Sequence, residues 1–339
     1  MKRRRSIGSS HEGNQTRQLS VLTPGCRFSC PDQLLSWLLG EIVIEAAHKR
    51  LQQTLAGPVE LEGPGLFHGI PARIRLLPAE AGTGIVFRRC DLPDIPTVPA
   101  RHDYVLAAAR RTILGRAGQP LVETVEHLMA AIAGIGVDNC VIEINGPEVP
   151  SFDASSRVFC NAMLDKGLQE LSECVEAFAI TDQMMLKSDG GQSVVLRPYV
   201  RSLLAVTWQL DYGRRAPIPP QIYSIELTPD IFVREIASAR TFVLESEITM
   251  LRGLGYGRHL TDRDLLVCGT DGTWNNRLRW PDECVRHKLL DCVGDLALSG
   301  RSVYGHLTAV RSGHKLNHRL AEEVSRMADS HSQSISSAA

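Results

Sequence analysis

The sequence predicts an α+β protein of two domains, on two observations. Strand-like stretches followed by helices occur twice along the 339 residues, which favours two α+β units over one doubly wound sheet. Each round also holds one strongly marked helix: 124–136, ended by Gly134 and Gly136, and 282–300, with acids at its start and Gly300 at its end. No fixed-period repeat relates the two rounds at the level of sequence, so any duplication is structural.

The first round starts near Gln53. Residues 54–66 and 72–80 form short strands around the glycines at 63, 65 and 69, and 82–92 adds another. After the helix at 124–136 come a strand closed by Gly146, Pro147 and Pro150 and a helix over 155–168. In the second round 177–188, 192–199 and 203–212 have the β-branched, alternating character of strands. Helices are expected over 229–240 and 241–255, a short strand and turn over 264–272, then the helix at 282–300. A strand at 306–312 and a helix at 314–328 complete the round. The domains are 51–175 and 176–325. Residues 1–50 form a partly disordered extension with a helix over 31–51, and 326–339 form a polar, disordered tail.

Composition narrows the function. With 43% hydrophobic and 22% charged residues the chain is an ordinary soluble globular protein. A formal net charge of -1 gives no broad electrostatic case for nucleic acid or an anionic membrane, and no stretch is apolar enough to span a bilayer. The nine cysteines show no zinc-knuckle spacing beyond Cys26 and Cys30, and read as reduced, buried thiols of a cytosolic protein. The basic start, Lys2 to Arg5, is read as a disordered leader; a transit peptide, which would make the protein organellar, and a nucleic-acid arm are the alternatives.

Chemistry gathers at a few positions. The helix at 124–136 is apolar almost all round, so Glu126 and His127 are expected to be buried. A buried carboxylate needs a partner or a metal. Either the two residues form a satisfied pair that joins two helices, or the acid is a base beside a metal-binding histidine. His287, Asp291 and Asp295 fall at i, i+4 and i+8 on one helical stripe, a solvated face or the wall of a site. Placed beside His127, His287 and Asp291 make a recurrent catalytic zinc set, two imidazoles and a carboxylate with a fourth position open for water. Glu126 is then the group that takes the proton from that water. His314 follows Ser312 and Gly313 at a strand-to-helix junction, facing a cleft or solvent. His306 and His318 read as structural or surface residues.

Four segments, 124–156, 238–242 (SARTF), 285–296 (VRHKLLDCVGDL) and 312–317 (SGHKLN), resemble in order the motifs of the UDP-3-O-acyl-N-acetylglucosamine deacetylases. These are the zinc amidases that commit a precursor to lipid A. The resemblance implies a fold of two β-α-α-β layers packed through their helices, with the active site between them. It implies Zn2+ (with Fe2+ as an alternative occupant in the cell) on His127, His287 and Asp291. Glu126 is then the general base, and His314 the protonated partner of the oxyanion and leaving amine. Asp295 orients that histidine, and Thr241 donates a hydrogen bond to the tetrahedral intermediate. Phe242 packs on the sugar, and Lys288, His68 and Gly257 belong to substrate binding. Residues 243–280 correspond to an insert that forms an acyl passage. The partner is a UDP-linked acylated glucosamine; nucleic acid is not expected, and a cytoplasmic monomer with weak membrane-surface contact is. Departures from the family pattern are Phe67-His68, which displaces a loop histidine by one, Val243 for glycine, Ala154 for glycine, and Arg258-His259 after Gly257. They predict altered substrate fit with the metal centre intact.

Overall fold

The computed structural model describes residues 50–338 apart from 176 and 263. The helix expected over 31–51 and the Cys26–Cys30 spacing lie outside it, except that Arg50 opens the strand Arg50–Leu55, antiparallel to Leu168–Val175. Helices and mixed sheets alternate along the chain, which makes the protein α+β.

In Pro71–Pro78 the buried residues Ala72, Ile74 and Leu76 alternate with exposed Pro71, Arg73 and Arg75, the period-two pattern of a half-buried strand. This strand belongs to a five-stranded sheet with the spatial order Val59–Pro64, Pro71–Pro78, Cys140–Ile144, Ile85–Arg89, Thr97–Pro99. A second sheet has the order Met184–Lys187, Ser193–Arg197, Val303–Val310, Leu204–Leu210, Gln221–Leu227, with Phe178–Ala179 parallel to Val303–Val310. The two orders are the same. In each, the last strand enters between the second and third, antiparallel to one and parallel to the other.

A parallel pair needs a long crossover. The first contains helix α1 (Glu126–Ile135) and the second contains the long helix Glu283–Ala297. In chain order the α-helices longer than one turn among the described residues are α1, α2 (Arg157–Lys166), α3 (Ile248–Gly253), α4 (Glu283–Ala297) and α5 (His314–Ala338). Helices α1 and α4 pack closely at Gly294, where an added Cβ would lie 2.1 Å from the Glu126 carbonyl oxygen. Leu128, Met129 and Ile132 of α1 and Leu289, Leu290 and Val293 of α4 are buried in the same core. Helix α5 packs against α4 and buries Leu316, Leu320, Ala321 and Val324, its apolar stripe.

Two sequence expectations change. The stretch 241–255, expected as a helix, starts as the strand Phe242–Leu244, paired in parallel with Leu266–Gly269, and only Ile248–Gly253 is α-helical. Thr241 is already committed to extended hydrogen bonds, donating from N to the Ala154 carbonyl and accepting from Leu266 N. The tail expected to be unstructured instead continues α5 to Ala338, since propagating a formed helix gains one hydrogen bond per residue. Gln221–Leu227, which the sequence does not flag, is an edge strand. Among the described cysteines all seven are free thiols; five are buried, while Cys90 and Cys174 are exposed.

Candidate active site

Helix α1 begins at Glu126, so this carboxylate sits in the first turn beside the positive end of the helix dipole. Both Glu126 and His127 are buried, as the apolar surroundings predict. On α4 the i, i+4 spacing brings His287 Nε2 within 3.2 Å of Asp291 Oδ1, and across the helix contact His127 Nε2 lies 3.6 Å from the same oxygen. The two imidazoles meet edge to face with centroids 5.0 Å apart. Donor atoms of His127, His287 and Asp291 all fall within 4.8 Å of one another. The His287 Nδ1 lies 3.0 Å from the Ala239 carbonyl oxygen, to which it donates, leaving the Nε2 lone pair directed at Asp291. Burial, partly opposed by Asp291, pushes the His287 imidazole down to about 3, so it is neutral at physiological pH.

Asp291 is divided between two environments. Its Oδ2 accepts from Lys288 Nζ at 2.8 Å. Among the described residues its Oδ1 is buried with no hydrogen-bond partner. A buried carboxylate oxygen left unpaired costs free energy unless something else meets it. A cation between Oδ1 and the two imidazole nitrogens would meet it, and two imidazoles plus one carboxylate are a fitting donor set for a divalent metal.

A second group faces this one. The His314 Nδ1 and Asp295 Oδ2 are 2.8 Å apart, and Asp295 also accepts from Asn317 Nδ2 at 2.9 Å and Thr112 Oγ1 at 2.6 Å. Burial alone would lower the His314 imidazole, but the Asp295 carboxylate outweighs it and carries it up to about 9. Burial raises the Glu126 carboxyl, against the pull of His314 and His127. Glu126 Oε2 accepts from Thr112 N at 3.0 Å. Thr112 thus fixes the Glu126 carboxylate and, through Asp295, the orientation of His314.

Glu126, His127, Asp291, His314, Thr241, Phe242, Lys288 and Gly257 line one cavity of about 880 Å³. His287 and Asp295 stand behind them, fully buried. The Lys288 ammonium lies 5.5 Å from the Phe242 ring centroid. His68 departs from expectation: it lies outside the lining, 3.1 Å from Glu123 Oε2, and Phe67 takes the place at the cavity. The cause is the loop backbone, since Phe67 N and His68 N both donate to the Glu148 carboxylate and fix which side chain faces inward.

Other residues went unseen in the sequence. Thr112 and Asn317 carry no local signal, although Asn317 follows His314 by one helical turn. His318, read as structural or surface, lies 2.9 Å from Thr112 Oγ1 and 3.3 Å from Asp295 Oδ1. The buried pair Arg240–Glu283 holds the segment that carries Ala239 and Thr241: Glu283 accepts from Arg240 N at 3.1 Å and Nε at 2.8 Å, and from Arg279 N at 2.6 Å.

A cavity with a buried two-histidine, one-carboxylate cluster on one wall and an acid–base pair on another belongs to the hydrolytic metalloenzymes. Residues 52–326 match the family model of UDP-3-O-acyl N-acetylglycosamine deacetylase, and the chain belongs to that family. It is similar to a UDP-3-O-acyl-N-acetylglucosamine deacetylase of Nostoc sp., 39% identical over 80% of this chain and 98% of the relative. Proteins of the same name from Geobacter sp. (36% identity, 82% of this chain and 90% of the relative) and Myxococcus xanthus (37%, 80% and 86%) are similar to it as well.

Proposed function

We propose that this protein hydrolyses the N-acetyl group of UDP-3-O-acyl-N-acetylglucosamine, releasing acetate and the free amine in the committed step of lipid A biosynthesis. His127, His287 and Asp291 hold one Zn2+, with Fe2+ as the alternative occupant in the cell. The observation that carries this is the orphaned, buried Asp291 Oδ1 between two imidazole nitrogens, in a cavity that the buried Glu126 carboxylate also lines.

Zinc in such a set would supply Lewis acidity and make an attacking water easier to deprotonate. The residues of the chain do the rest. Glu126, raised by burial, is a competent base for the attacking water and takes its proton. Thr241 donates its hydroxyl to the oxyanion that develops as the carbonyl carbon becomes tetrahedral. His314 is protonated at neutral pH and passes its proton to the departing nitrogen as the C–N bond breaks, and Asp295 holds the ring in place throughout. Lys288 offsets the charge of Asp291 and, with Phe242, faces the sugar. The apolar part of the cavity, including Leu251, Leu260, Leu265 and Val267 of the insert, receives the acyl chain. Gly257 lines the same passage, and His68 acts on substrate only through the loop it shares with Phe67.

Among the described residues no helix is long and apolar enough to cross a membrane. The proposed setting is a cytoplasmic monomer whose contact with a membrane surface is weak. The test pairs metal analysis with acetate release for the wild type and Glu126→Ala. Zinc retained with turnover lost in the variant is expected. An inactive wild type at full zinc occupancy would instead leave a protein that binds the nucleotide sugar without cleaving it.

A further inference from the structure

Three consecutive residues connect the insert to the catalytic carboxylate. Arg110 adopts φ +66°, a left-handed conformation that costs a non-glycine residue free energy and persists only where the surroundings enforce it. Its guanidinium pairs with Glu247 of the insert. Arg111 is buried, with its Nε donating to Glu123 Oε2 at 2.9 Å. Its guanidinium carbon lies 4.3 Å from the Phe67 ring centroid and 4.9 Å from that of Tyr256. The two rings meet edge to face at 5.3 Å, and Gly257 N donates to the Phe67 carbonyl at 2.9 Å. Phe67 and Tyr256 line the apolar passage, whereas Arg111 does not. Thr112, next in the chain, donates from N to Glu126 and from Oγ1 to Asp295.

We infer that Arg111 is a positioning residue that couples occupancy of the passage by the substrate's acyl chain to the placement of Glu126, through Phe67 and Tyr256 on one side and Thr112 on the other. The inference rests on the proposed deacetylase activity. An acyl chain in the passage contacts both rings that flank the guanidinium and holds the insert against the loop 65–69. With Arg111 fixed, the Thr112 amide one peptide unit away keeps its aim at the base. Binding free energy gained far from the scissile amide is thereby directed into kcat rather than only into KM. The strained turn at Arg110 fits this role, since it turns two successive arginines onto the same insert.

The experiment measures kcat and KM for acetate release from two substrates, one with a hydroxyacyl chain long enough to fill the passage and one with a 3-O-acetyl group. In the zinc-loaded wild type, the long-chain substrate is expected to have the higher kcat. In Arg111→Leu the ratio of long-chain to short-chain kcat should fall about tenfold, the range of one desolvated cation–π contact. Arg111→Lys keeps the charge near Glu123 but not the planar stack, and should fall between; it carries the test alone if Arg111→Leu does not fold. An unchanged ratio in a folded variant overturns the inference. Equal loss on both substrates overturns it too, since that is what a merely structural residue does. A zinc-loaded wild type that releases acetate from neither substrate defeats the proposed function instead, and is distinguished by that.

Discussion

A single methyl group added at Gly294 should dismantle the proposed metal site while leaving every proposed ligand in the sequence. The Cβ of Gly294→Ala would lie 2.1 Å from the Glu126 carbonyl oxygen, 2.9 Å from its carbon and 3.1 Å from Ala130 N. All three are backbone atoms of α1, so no side chain can turn aside. Carbon and oxygen sit comfortably at about 3.3 Å or more, so the helices must part by roughly 1 Å. His287 and Asp291 move together because they share α4, but His127 stays with α1. Ligand distances tolerate about 0.2 Å, and the separation is several times that. The expected result is zinc affinity lowered about tenfold or more, comparable with loss of a residue that orients a ligand. Overpacking by about 1–3 kcal/mol should accompany it, seen as a Tm lower by roughly 2–10 °C. Competition with a chromophoric chelator measures the first and a thermal melt the second. A folded Gly294→Ala protein that binds zinc as tightly as wild type would refute the reasoning.

Two further variants address the supports. Asp295→Asn removes the main carboxylate that raises His314 to about 9, leaving burial, which lowers it, opposed by Asp291 and Glu126. Because the protonated ring is the active form, the alkaline limb of the kcat/KM profile should move to lower pH by about one unit or more; a profile that only scales down contradicts His314 as the acid. Glu283→Ala leaves the buried Arg240 guanidinium without its carboxylate, with only Asn276 Oδ1 and the Arg277 carbonyl as acceptors, and frees the segment holding Ala239 and Thr241. A loss of about 3–5 kcal/mol is expected in denaturant titration, together with weaker metal binding through His287; full stability would show the pair to be dispensable.

Local pattern was enough to find the strands with clean alternation, such as Pro71–Pro78, and the buried acid on an apolar helix at Glu126. What it missed depends on partners remote in the chain. The stretch after Thr241 has residues that suit either helix or strand, and its pairing with Leu266–Gly269 decides the outcome. Thr112 acquires its role only by meeting Asp295, 183 residues away, and Glu126 at its own amide. Backbone donors have no sequence signature. The place of His68 outside the cavity lining has a related cause, because two loop amides bound to Glu148 choose which side chain faces the cavity.

The shared strand order of the two sheets has a consequence for how the protein could be divided. His127 comes from the crossover helix of the first sheet, His287 and Asp291 from the matching helix of the second. Each copy of the unit therefore holds part of the proposed metal set, one donor against two, and the proposed base lies on the copy with fewer donors. Neither fragment of a chain cut between the two sheets would carry a working centre, yet mixing them should restore one, with metal affinity serving as a gauge of how well the halves recombine.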